Sequence, residues 1–257
     1  GPLPSSGRAG GVLALGGSCL AERLSHYVRL TEGEQSALDA LEEQDRTFRR
    51  GSVIFSEGDT PRELYVVQEG WLHSSVMLGN GSRQIMRFLF KGDIACLSLL
   101  AFHDSPETMT AVTDVTLCPF SRERLAALMS DHPRLSALLL SLSVAERVVL
   151  ADRLASFGRT SARARVSSLL CEIYRRMRVL GQASEGAIAL PLTQEEIGDA
   201  TGLTAVHVNR MMRGLALDGL IDRYGGQLRV LDEDRLCVEA NYVDRTALET
   251  GWLPAPR

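Results

Sequence analysis

One lysine, Lys91, stands among the 257 residues; every other basic side chain is arginine. A glycine-rich phosphate loop with its lysine therefore has no counterpart here. There is also no G-x-S-x-G elbow, no H-E-x-x-H and no recognisable pair of carboxylates, so the sequence reads as a non-enzyme. Cysteine is scarce: Cys19, Cys96, Cys118, Cys171 and Cys237 are widely spaced and none forms a C-x-x-C pair. That removes zinc-ribbon and dithiol-motif readings and leaves reduced thiols, as expected of a cytoplasmic protein. No apolar run approaches the roughly 18 residues a bilayer requires, so no membrane partner is expected.

The hydrophobic fraction is 45% and the charged fraction 23%, a soluble globular balance. Residues 1–18 are rich in Gly, Pro and Ser without a charged leader and solid apolar core. They read as a flexible N-terminus, not a signal peptide. Net charge is −4, but it is unevenly spread. Residues 1–158 carry 15 basic and 19 acidic side chains; residues 159–229 carry 10 basic, all Arg, and 7 acidic. The later segment is the better candidate for a surface that faces phosphates.

Periodicity divides the chain. Around residues 20–48 the spacing is helical, with Thr31 and Glu34 forming a capping box ahead of Leu38 and Leu41. Residues 49–121 are short β-branched and aromatic runs separated by Gly58, Gly70, Asn80-Gly81 and Gly92, the pattern of a compact antiparallel barrel or roll. After Pro133, Leu135, Leu138, Leu142, Ala145 and Val149 repeat at 3-4-3-4 spacing, a seam of about two heptads. A second apolar row, Leu139, Leu140, Val144 and Val148, lies beside it. A helix with two apolar rows requires two partners. The seam is assigned to a second copy of the chain, which makes those five residues the expected dimer interface. Gly158 is read as the stop of this helix, with Thr160 or Ser161 capping the next.

Residues 162–181 form a further amphipathic helix. In "LTQEEIGDATGLTAVHVNRMMRGL", Thr193 and Glu196 make a capping box, Gly202 supplies a turn and Thr204 caps a second helix. Helix, short turn with Gly, helix is the helix-turn-helix layout, whose second helix enters the major groove of DNA. At about 100° per residue, Val208, Met211, Met212 and Leu215 face inward, while Val206, Arg210 and Arg213 face outward with His207 and Asn209 at the flanks. Thr193, Thr204 and Ala205 complete the expected DNA-binding set. "GLIDRYGGQLRVLD" reads as a β-hairpin wing, from which Arg223 and Arg229 reach toward phosphates.

"GSVIFSEGDTPRELYVVQEGWL", "KGDIACLSLL", the helix after Pro133, "SARARVSSLL" and "LTQEEIGDATGLTAVHVNR" together resemble the cyclic-AMP receptor / fumarate-nitrate regulator (CRP/FNR) family across roughly residues 25–236. The resemblance implies an α+β fold with an N-terminal β-roll (a cyclic-nucleotide-binding-like jelly roll), a long dimerisation helix and a C-terminal winged helix-turn-helix. It divides the chain into the N-terminus 1–18, a sensor roll 19–132, a dimerisation helix 133–158 and a DNA-binding domain 159–257. It also implies a bacterial homodimer on a palindromic operator in double-stranded DNA, in contact with RNA polymerase.

Departures from the family pattern matter as much. Cyclic-AMP members carry a Glu and an Arg where this chain has Leu97 and Thr108 (Glu107 if the alignment slips by one), and hydroxyl side chains where it has Leu150 and Ala151. A cyclic phosphate would lack its charged partner there. Only Cys19 precedes Cys96, so the family's four-cysteine iron–sulfur cluster cannot be assembled. No cofactor is predicted. A haem held by His26, His73, His103 or His132, a thiol switch at Cys96, Cys118 or Cys171, and a small-molecule effector remain open alternatives. The effector pocket is placed at Leu97, Ser98, Thr108, Met109 and Leu150. Members also often carry a Glu at the position of Val206, so the half-site is expected to differ from the usual one.

Overall fold

The computed structural model describes residues 17–42 and 44–256. Most of the N-terminal stretch expected to be flexible lies outside them, but Ser18 is a buried N-cap whose Oγ accepts from the Ala21 amide. It opens α1 (Cys19–Ser25). α2 (Glu32–Leu41) begins at the Thr31–Glu34 capping box and buries Leu38 and Leu41. Eight strands follow: β1 (Arg46–Phe48), β2 (Val53–Phe55), β3 (Glu63–Glu69), β4 (Leu72–Met77), β5 (Arg83–Leu89), β6 (Ile94–Ala95), β7 (Thr108–Ala111) and β8 (Val115–Ser121), with one 3₁₀ turn at Leu97–Leu100. They form two antiparallel sheets of order β1-β8-β3-β6 and β2-β7-β4-β5. α3 (Arg122–Asp131) leads into α4 (Pro133–Arg159).

α4 corrects two expectations. The helix does not stop at Gly158; it runs through Arg159 to the C-cap Thr160, and Ser161 then caps α5 (Ala162–Val179). Nor is the 3-4-3-4 seam free for a second copy. Leu135 and Leu138 are fully buried and Leu142 nearly so, all packed into the core of the chain's own roll. Ala145 and Val149 continue the same face into a cleft beside α5. Leu140, Val144 and Leu154 are 59%, 45% and 74% exposed. At about 100° per residue they sit opposite the seam, so the heptad is real but faces inward. The roll covers it because apolar surface nearest in sequence closes the shortest loop.

Beyond α5 come β9 (Ala183–Ser184), β10 (Ala187–Ala189), α6 (Gln194–Thr201), α7 (Ala205–Leu217), β11 (Ile221–Tyr224), β12 (Gln227–Val230) and α8 (Glu233–Ala240). The expected hairpin β11–β12 turns at Gly225-Gly226, both at positive φ. It is part of a four-stranded sheet, β11-β12-β10-β9, whose short strands β9 and β10 the sequence pattern did not reveal.

The C-terminal half docks on the roll. Trp71, Ile85, Phe88, Phe90 and Val112 of the roll share one core cluster with Val166, Ile173, Ile197, Val208 and Leu215. Trp71 and Phe90 meet edge to face at 4.7 Å. A chain of ion pairs centred on the buried Arg23 and Asp93 joins the same elements. Asp93 accepts from Arg23 of α1 at 2.8 Å and from Arg176 of α5, and its other oxygen takes the Phe90 amide at 2.8 Å. Arg23 continues to Glu146 of α4 at 3.3 Å, and Glu146 to Arg87 of β5 at 2.7 Å. Burial alone would raise the Asp93 carboxyl; Arg176, Arg23 and Arg87, with the Phe90 amide, outweigh it and hold the carboxyl below the usual aspartate range.

Two outcomes follow for stability. Leu138→Ala should cost about 2–5 kcal/mol in a urea melt, as a core leucine with no free face. Asp93 is more acidic folded than unfolded, so its contribution is complete above about pH 4 and fades as pH drops through the lowered folded value. Asp93→Asn should therefore lower stability at neutral pH and flatten the acid limb of the stability–pH curve, measured by urea melts at stepped pH. An acid limb as steep as that of the unaltered protein would remove Asp93 from this role.

Candidate nucleic-acid interface

The turn between α6 and α7 is fixed by local chemistry. Thr193 Oγ1 accepts from the Glu196 amide at 3.1 Å, and the Glu196 carboxylate takes the Thr193 amide at 2.8 Å. Gly202 ends α6 in the left-handed region, at φ 71°. Gly198 is required by proximity: a Cβ there would lie 2.3 Å from the Leu203 carbonyl oxygen. Only a residue without a side chain lets the turn pass so close. Thr204 Oγ1 then accepts from the His207 amide at 3.2 Å and starts α7.

α7 divides as its spacing predicted. Val208, Met212 and Leu215 are buried and Met211 half-buried. Val206 is 72% exposed, and Arg210 and Arg213 are exposed, with Ala205, His207 and Asn209 half-buried between the two sides. Thr193 and Thr204 are exposed at the two helix starts. Among the described residues, neither Arg210 nor Arg213 has a hydrogen-bond or ion-pair partner. Most arginines of the C-terminal half do: Arg163 binds Glu239 and Asp218, Arg175 binds Glu233 and Asp244, and Arg178 binds Glu233. Docking on the roll leaves this face open, because the contact uses α5 and α6, with Arg83 pairing with Asp199 of α6 at 2.8 Å.

The wing is less available than expected. Arg223 is half-buried and donates to the Leu192 carbonyl at 3.0 Å, so it is a strut, not a free phosphate ligand. Burial pushes its guanidinium below the usual value. Arg229 is also half-buried, with its Nε enclosed. Tyr224, at the hairpin tip, is 52% exposed.

The expected effector pocket is not assembled. Met109 is in the roll core, Leu97 packs against that core, and Thr108 Oγ1 accepts from the Glu57 amide at 3.0 Å. Ser98 Oγ is enclosed without a partner. Leu150 is elsewhere, on the wall of a cleft of about 840 Å³ between the roll, α4, α5 and residues 240–248. Leu97 borders a separate, smaller cavity with Leu100, Leu125 and Leu139.

The thiols and imidazoles fall out separately. Burial pushes Cys19 and Cys118 up to about 11 and Cys96 higher still. Cys171 is likewise raised by burial, and its Sγ lies 3.3 Å from the Cys237 Sγ, a meeting of α5 and α8 that their separation in sequence concealed. His73 is buried edge-on to Phe88, and burial, then Arg83, lower it to about 4, so it is neutral near pH 7. His103 is exposed beside Asp104, His26 borders the cleft, and His132 precedes α4.

Comparison with known proteins agrees with this arrangement. The cyclic nucleotide-binding domain family matches residues 45–132, and the Crp-like helix-turn-helix domain family matches residues 164–238. Nitrogen fixation regulation protein FixK of Bradyrhizobium diazoefficiens is 30% identical over 189 residues, covering 74% of this chain and 78% of that protein. Transcriptional activator protein FnrA of Stutzerimonas stutzeri is 26% identical over 227 residues, covering 88% and 90%. The structure of FixK2 from Bradyrhizobium japonicum superposes with a TM-score of 0.68 at 26% identity, over 75% of this chain and 94% of that one. No helix among the described residues is long and apolar enough to cross a membrane. A β-roll, a long helix and an open, capped helix-turn-helix, matched in that order, make this chain a member of the CRP/FNR family, a transcriptional regulator with a helix-turn-helix DNA-binding domain.

Proposed function

We propose that the protein binds a two-fold symmetric operator in double-stranded DNA as a homodimer and from there contacts RNA polymerase. The observation that carries this reading is the outward face of α7: two unpaired arginines and an exposed Val206 on a helix whose other face is fully packed. Unpaired guanidiniums on such a face suit guanine edges and phosphates. Val206 cannot accept from a cytosine amine but can touch a thymine methyl, so the half-site differs there from a Glu-reading one.

Homodimerisation is assigned to the outer face of α4. Leu140, Val144, Arg147, Ala151, Leu154 and Gly158 advance at 4-3-4-3-4 spacing on the side opposite the roll. That is a heptad stripe with exposed leucines and, near its end, small residues that let two helices approach.

The roll is not built for cyclic AMP. Leu97 and Thr108 offer no charge to a cyclic phosphate, and the Thr108 oxygen accepts from the Glu57 amide. Only Cys19 precedes Cys96 in this sequence, which does not supply the thiolates of the family's iron–sulfur cluster. Of the thiols weighed as a switch, Cys171 has a neighbouring thiol, the Cys237 Sγ at 3.3 Å.

Arg210→Ala should weaken operator binding by about 1–3 kcal/mol and relax one base position, read by competition gel shifts with single-base operator variants. Equal loss on operator and random duplex would remove Arg210 from base reading. Leu154→Asp should convert the dimer to monomer in sedimentation velocity while leaving the circular dichroism spectrum unchanged. A dimer that survives both Leu154→Asp and Leu140→Asp would place the interface elsewhere.

A further inference from the structure

The cleft beside α4 lies outside the roll turn that holds Leu97, Ser98 and Thr108, and the interface reading above does not use it. We infer that it is a binding site for an amphipathic organic anion, a carboxylate or phosphate monoester with an apolar body. Its volume of about 840 Å³ is in the range of small-molecule sites. Most of its surface is apolar, with Phe88, Val149, Leu150, Leu180, Tyr242 and Leu248 on its walls.

Charge selects the other end of the ligand. The lining holds six arginines (Arg23, Arg87, Arg153, Arg175, Arg176 and Arg245) against four carboxylates, Asp93, Glu146, Asp152 and Glu172. Asp244 and Glu233 bind Arg175, and Glu107 acts on Arg87, but none of these three carboxylates lines the cleft. The wall that a ligand touches is therefore richer in cations than in anions. Arg23 is 8% exposed, lines the cleft, and keeps its Nε hydrogen without an acceptor. A buried guanidinium donor left unmatched is a vacancy for an anionic acceptor. A cation would meet the excess of arginines, and a neutral oxygen acceptor would make a weaker bond to that donor than an anionic one.

The cover is a part of the chain beyond the matched helix-turn-helix domain, which ends at residue 238. Tyr242 stacks on Arg175 at 5.1 Å, Asp244 pairs with Arg175 at 2.7 Å, and Arg245 binds Asp152 through two nitrogens at 2.9 and 3.2 Å. Leu248 and Leu253 then pack on the roll core. A ligand under this segment would touch the roll, α4 and the DNA-binding domain at once.

The test uses the full-length protein and the fluorescence of anilinonaphthalene sulfonate, an apolar body with one anionic group. Saturable binding is expected, displaced by octanoate or octyl phosphate at concentrations about tenfold lower than octanol requires. Whichever anion competes better separates the carboxylate from the phosphate form. Ala145→Trp on α4 and Ser168→Phe on α5 each fill the cleft and should abolish binding, with circular dichroism confirming the fold. Met77→Gln on β4, an exposed residue outside the cleft and the α4 stripe, should leave it intact. In the unaltered protein, octanoate should slow hydrogen exchange in residues 145–156 and 241–248. Octanol competing as well as octanoate, loss of the signal in Met77→Gln but not in the cleft variants, or protection confined to other segments would each overturn the proposal.

Discussion

Asp93 is the carboxylate on which the arrangement of this molecule depends. It is nearly inaccessible, yet it receives guanidiniums from elements far apart in the sequence, Arg23 of α1 and Arg176 of α5. A buried charge is tolerated when it is paired and its remaining lone pairs are satisfied, and the Phe90 amide completes that set. Replacing such a cluster by apolar side chains can be neutral for stability, so its value here is geometric. It fixes α1, the β5–β6 turn, α4 and α5 in one register. The edge-to-face contact of Trp71 and Phe90 and the shared core cluster supply the apolar part of the same joint.

That joint determines which face of the helix-turn-helix stays available. The DNA-binding domain leans on the roll through α5 and α6, and α7 is left with its arginines in solvent. The same logic holds along α4, where one side is committed to the roll and the cleft and the opposite side is uncovered. Each helix thus separates an internal face from an external one. The external faces are those whose composition suits a partner: arginine and valine on α7, leucine and small residues on α4.

Much of this was legible in the sequence. Both capping boxes, the roll, the division of α7 and the hairpin at Gly225-Gly226 follow from spacing and turn chemistry, which act over a few residues. The failures have a common physical cause. Spacing shows that Leu135, Leu138 and Leu142 share a face, but not what covers it. Likewise, the family pattern groups Leu97 with Leu150, but the fold sets them on two different cavities. The Cys171–Cys237 approach, the Asp93 cluster and the C-terminal strap are made by residues far apart in sequence, where no local rule reaches. β9 and β10, two and three residues long, are too short to carry an alternation of their own.

The near-absence of lysine gains meaning once the partners are seen. Lys91, the single ammonium side chain, is paired with Glu22 on the roll. Every cation on α7 and every cation in the Asp93 cluster is a guanidinium, which keeps its proton far above biological pH and is inert to amine acylation. The charge that Arg210 and Arg213 give the recognition face is therefore constant across biological pH. Alkaline shifts and lysine acetylation, which retune many DNA-binding surfaces, have no side chain to act on there.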